Sequence, residues 1–97
     1  MVEVFKALSN KTRLEILMLL KEPEKHFPPQ GKGEFDYGVC VGHIQQKIGL
    51  TQSTVSEYLS TLQRAGLVTG TRVGQWTYYK RNESAIQKLI ELVQQEL

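Results

Sequence analysis

The chain has a single cysteine, Cys40, so no disulfide can close within it. A disulfide-stapled secreted fold is excluded, and a reducing cytosol is the expected compartment. No apolar run approaches the ~20 residues that a membrane-spanning helix needs. The stretch ILMLL at 16–20 reads instead as the core of a helix. The N-terminus lacks the basic-then-apolar pattern of a signal peptide. Proline is scarce, and all three, Pro23, Pro28 and Pro29, fall in one segment. From Tyr58 to Asn82 there is no acid at all, while Arg64, Arg72, Lys80 and Arg81 are basic. No carboxylate pair at catalytic spacing, nucleophile motif or phosphate loop is present, so an enzyme is not expected. There are no internal repeats.

With 97 residues, 40% apolar and 23% charged, the chain should form one domain over 1–97 with a modest core. The net charge of +2 says little about partners; its placement in the acid-free stretch says more. VEVFKAL at 2–8 predicts a short helix with Val2, Phe5 and Leu8 inward. Ser9 or Asn10 suits the N-cap of the next helix, KTRLEILMLLKE, which is apolar nearly all round. It should be the central buried helix and should end at Pro23. Residues 23–38, PEKHFPPQGKGEFDYG, keep no period of 2 or 3.6 and read as a long mobile loop.

VCVGHIQQKIG resumes helical spacing through Val41, Ile44 and Ile48. Gly49 suits the position after that helix, Thr51 the N-cap of the next, and Leu50 with Val55 a hydrophobic staple. The pattern is helix, three-residue turn, helix. In the second helix Val55, Leu59 and Leu62 make the apolar stripe. Opposite it stand Ser53, Glu57, Ser60 and Arg64, with Gln52, Thr54 and Ser56 on the flanks. These are mostly short hydrogen-bonding side chains crowded into the first turns, which capping alone does not explain. A helix of this width fits the major groove of double-stranded DNA. Its N-terminus brings a positive dipole toward phosphates. Gln52 can pair with adenine, and Ser53, Thr54 and Ser56 can bond base edges or phosphates. Tyr58 and Arg64 lie further along for backbone contacts.

LVTGTRV and WTYYKR flank Gly74-Gln75, the signature of a type II′ hairpin. A hairpin directly after this helix pair is a wing. Arg72, Lys80 and Arg81 give it basic reach and Gln75 its tip, while Trp76, Tyr78 and Tyr79 are expected to pack it onto the helices. ESAIQKLIELVQQEL closes the chain with a stripe of Ile86, Leu89, Ile90, Val93 and Leu97. The expected fold is mainly α with a small β-hairpin: a winged helix-turn-helix of about five helices and a two-stranded wing.

FKALSNKTRLEILMLL, VCVGHIQQKIGLTQSTVSEYLSTLQRAGLV and VGQWTYYK, in that order, resemble the ArsR/SmtB family of winged-helix repressors over nearly the whole chain. The resemblance implies a cytoplasmic homodimer built from the first and last helices, with Phe5, Ile86, Leu89, Ile90 and Val93 in the interface. It also implies binding to an inverted repeat with helix 52–65 and wing 67–81, and release on a signal. Metal-sensing members often carry ELCVCDL or LCVGDL where this chain reads GVCVGHI. Cys40 matches the ligand cysteine, and His43 stands in place of the aspartate. Cys-x-x-His suits zinc or a softer metal as effector. Completing a site would take His26, Glu34 or Asp36 from the loop. The alternative is a small half-buried thiol and an ordinary surface histidine. No histidine occurs in the last helix, so the family's carboxylate–histidine interface site is absent. A competing reading is a winged-helix protein-interaction module without DNA readout; the acid-free basic stretch favours DNA.

Overall fold

The expected second helix of the pair is α5, Gln52–Arg64. In the computed structural model, which describes residues 1–31 and 33–97, its stripe of Val55, Leu59 and Leu62 is fully buried. Thr51 caps it, its hydroxyl accepting from the Thr54 N–H. The preceding helix α4, Val41–Ile48, ends on Gly49, whose φ of 80° lies in the left-handed region. Leu50 stays exposed at 40%, short of the expected staple.

Before this pair come α1 (Val2–Leu8), α2 (Lys11–Leu19) and a four-residue helix, α3 (Pro23–His26). Asn10 caps α2 by accepting from the Arg13 N–H at 2.9 Å. After the pair come β2 (Val68–Val73), β3 (Trp76–Arg81) and α6 (Glu83–Glu96). Gly74 has φ 63° and Gln75 is not in the positive region, which fits the II′ turn. Asn82 fixes the corner into α6. Its Oδ1 caps Ala85, its Nδ2 donates to the Gly66 carbonyl, and its N–H donates to the Leu67 carbonyl. Ile16, Val39, Ile44, Leu67 and Val68 join the α5 stripe in one core.

The winged helix-turn-helix fold is as expected, with corrections. There are six helices and three strands among the described residues. Val39–Cys40 form β1 instead of a first helical turn, in a sheet ordered β1-β3-β2 and antiparallel throughout. A two-residue strand is too short to show a period. Pro23 opens α3 at its N1 position, and α2 has already ended at Leu19. In α1 it is Ala7 that is buried, while Val2 and Phe5 are exposed. Nor is α2 buried all round: Met18 is 64% exposed and Leu14 is also open.

The segment read as a mobile loop is tied down; position 32, within it, lies outside the described residues. Phe27 is buried. The Gln30 amide donates to the Glu34 and Gly38 carbonyls and accepts from the Cys40 N–H at 2.9 Å. Lys80 Nζ donates to the Asp36 carbonyl, and Tyr37 packs on Tyr78 with ring centroids 6.3 Å apart. Lys25 hydrogen-bonds Glu22 at 2.8 Å, which lowers that carboxyl's pKa and raises its own; both are exposed, so the pair adds little stability.

Candidate nucleic-acid interface

At the front of α5, Gln52 and Ser53 are exposed, and Thr54 and Ser56 are half-buried. The cap draws in part of this set: Thr51 Oγ1 donates to Thr54 Oγ1 at 2.9 Å and lies 3.4 Å from Ser53 Oγ. Gln52 and Ser53 are therefore the outermost short polar side chains at the positive end of the helix. The N-terminal turn carries no acid.

Other predicted contact residues are placed differently. Tyr58 lies under the Arg13 guanidinium, 5.6 Å from ring centroid to Cζ. Arg13 also donates to the Ala7 and Lys6 carbonyls, so it clamps the end of α1 onto α5. Arg64 donates to Ser60 Oγ and Thr61 Oγ1 in the last turn of α5. At 1.5 Å per residue it sits roughly 18 Å along the axis from Gln52, beside Glu3, Lys6 and Arg13.

The wing separates its cations by strand alternation. Pairing of Gly70 with Tyr79 and of Arg72 with Thr77 puts Arg72 on the face with Tyr79. That face turns to α5: a side chain at Gly70 would meet the Tyr79 ring and Gln63. Lys80 lies on the opposite face with Tyr78 and Trp76, beside Asp36. Arg81 makes a two-point bond with Glu83 at 2.9 and 3.0 Å, and its side chain is only 11% exposed. Gln75 is exposed at the turn. The aromatics divide too: Tyr79 packs on the core, Tyr78 is half-buried, and Trp76 is 53% exposed, contrary to the expected packing.

The metal candidates do not converge. Among the described residues no three of His, Cys, Asp or Glu gather closely enough to hold an ion. His26 is exposed at the end of α3. Cys40 and His43 meet instead at one amide: His43 Nδ1 is 3.1 Å from Gln30 Oε1. An amide oxygen only accepts, so a hydrogen bond at this contact has the His43 Nδ1–H as its donor. Sequence pattern gave no sign of Gln30 or of Arg13 in these roles, since each acts through a contact between distant elements.

A second surface is apolar. Val2, Phe5, Leu14, Met18, Ile90 and Val93 are exposed on α1, α2 and α6, and no residue of α6 is buried. Ile86 and Leu89 line a groove of about 440 Å³ with Leu8, Leu17 and Met18.

The chain is similar to known proteins along this whole layout. A model of bacterial regulatory proteins of the arsR family matches residues 39–69, from β1 to the start of β2. The uncharacterized HTH-type transcriptional regulator YbzH of Bacillus subtilis is 53% identical over 97 residues, 99% of this chain and 97% of its own length. An arsenical resistance operon repressor of Bacillus subtilis is 33% identical over 89% of this chain and 70% of its own. Among solved structures, a homodimeric winged helix-turn-helix domain of a possible ArsR-family regulator from Mycobacterium bovis superposes with TM-score 0.69 at 33% identity, covering 96% of this chain and 73% of that one. HlyU from Vibrio cholerae superposes with TM-score 0.68 at 29% identity, covering 95% and 85%. This chain therefore belongs to the arsR family of bacterial transcriptional regulators.

Proposed function

We propose that the chain is a homodimeric, cytoplasmic, sequence-specific repressor of transcription that reads an inverted repeat in double-stranded DNA. The observation that carries the reading is the exposed pair Gln52 and Ser53 at the acid-free N-terminus of α5, beside a wing whose Arg72 lies on the α5 face. The apolar face of α1, α2 and α6 supports the dimer, since monomers rarely leave so many large apolar side chains open in one region. Two-fold symmetry then sets two α5 helices about one turn of DNA apart. The relatives named as repressors support the sign of regulation. Gel shifts with the DNA upstream of the chain's own gene test this. Specific binding should exceed binding to random DNA by at least about 10³-fold at physiological salt. Equal affinity for both would favour a protein-interaction module.

Gln52→Ala and Ser53→Ala should each weaken specific binding by roughly 1–3 kcal/mol and leave random-sequence binding nearly unchanged. Both side chains point away from the buried stripe, so melting should be unaffected. Equal losses on both DNAs would remove them as readers.

Arg72→Ala and Lys80→Ala should lower affinity on every sequence and reduce the slope of log K against log salt by roughly one unit per phosphate contact. Lys80 has a protein carbonyl to leave, whereas among the described residues Arg72 is held only by the Gly74 carbonyl of its own turn. An unchanged slope in both variants would take the wing off the DNA.

A further inference from the structure

Among the depressions outside the α5 front and the apolar face, one is walled by aromatic side chains and open to solvent. It measures about 230 Å³ and is lined by Gln30, Cys40, His43, Trp76 and Tyr78. These come from the packed segment, β1, α4 and β3, so four pieces of chain meet there. Among the described residues no carboxylate, ammonium or guanidinium lines it. Nothing among those side chains would pair with a full charge on a guest. Two flat aromatic side chains form part of the wall, and Trp76 leaves half its surface uncovered. Cavities of about 150 Å³ already hold benzene, so this one admits a substituted single ring. The polar end is equally constrained. Gln30 Oε1 is taken by the Cys40 N–H and His43 Nδ1, so a neutral His43 ring presents Nε2 as an acceptor. That tautomer matches a guest with a hydroxyl or a ring N–H.

We infer that this cavity is a binding site for a small, uncharged, planar aromatic molecule bearing one hydrogen-bond donor, stacked on Trp76 and donating to His43. The guest would touch the first turn of α4 and the wing strand β3 at once. Its effect on DNA affinity rests on the proposed function, but its binding does not.

The test uses the full chain and phenol as probe, with cyclohexanol and benzoate as non-planar and charged controls. Trp76 is the chain's only tryptophan, so its indole N–H gives one assignable cross-peak. Phenol should shift that peak and the Cys40 amide along one saturating curve. Cyclohexanol and benzoate should not saturate. His43→Ala should weaken phenol binding roughly tenfold, the loss of one hydrogen bond, with Tyr78→Phe as a milder change to the same wall. Unchanged amide spectra away from the cavity guard against misfolding. Non-saturating shifts with phenol, equal affinity for either control, or wild-type affinity in His43→Ala would each overturn the inference. Failure of the DNA reading shows separately, as absent operator binding by the guest-free protein.

Discussion

Val93→Glu should convert a sedimenting dimer into a monomer and abolish specific DNA binding. Val93 is 45% exposed on a helix with no buried residue, so the single chain loses little by the change. In a two-fold interface the same carboxylate would be buried without a partner, once from each copy. An uncompensated buried charge costs several kcal/mol, so the dimer should weaken by about a thousandfold or more. Lys88→Glu on the same helix is the control: Lys88 is exposed and lies off the apolar stripe, and its dimer should survive. Sedimentation velocity at micromolar protein reads both. Random-sequence binding should persist in Val93→Glu, since each monomer keeps its α5 and wing. A stable dimer in that variant would remove α6 from the interface.

Gly38→Ala should be the most damaging single-methyl change in the chain. Gly38 has φ 103°, and a Cβ there would fall within the contact radius of the Tyr79 carbonyl on the central strand β3. Its N–H donates to the Phe35 carbonyl and its own carbonyl accepts from Gln30, so the backbone cannot swing aside without breaking both. Strain of this kind costs about 1–3 kcal/mol before the clash is added; the total should reach about 3 kcal/mol or more. Gly49→Ala has a similar φ of 80° but open space around it, and should lose only about 1 kcal/mol. Urea midpoints compare the two. Equal losses would mean that the backbone at Gly38 does not approach β3 closely.

The helix-turn-helix and hairpin were legible because each announces itself locally. Val55, Leu59 and Leu62 repeat at helical spacing, Gly49 and Thr51 mark the two ends of the turn, and Gly74-Gln75 sits between two β-rich runs. What escaped depended on distance or brevity. Val39 and Cys40 form a strand only because β3 offers them Tyr79 and Tyr78 as partners. Pro23 reads as a breaker until α3 uses it as a first residue. The segment after it has no period, yet Gln30 orders it through bonds to residues up to 13 positions away. The apolar surround of α2 was read as burial, whereas the single chain leaves Met18 and Leu14 open. For the candidate interface, the short polar front was legible by helical phase. The engagement of Tyr58 by Arg13 and of Arg81 by Glu83 was not, because neither pairing follows from spacing.

The alternation along β3 carries an evolutionary consequence. Trp76, Tyr78 and Lys80 belong to one face, Thr77, Tyr79 and Arg81 to the other. Point substitutions can therefore drift on either side without disturbing its opposite. A one-residue insertion or deletion within the strand enjoys no such freedom, because it would exchange the two sets at a stroke. Descendants of this chain should vary in the composition of that strand and in the length of the 74–75 turn, while the count of residues from Trp76 to Arg81 stays fixed.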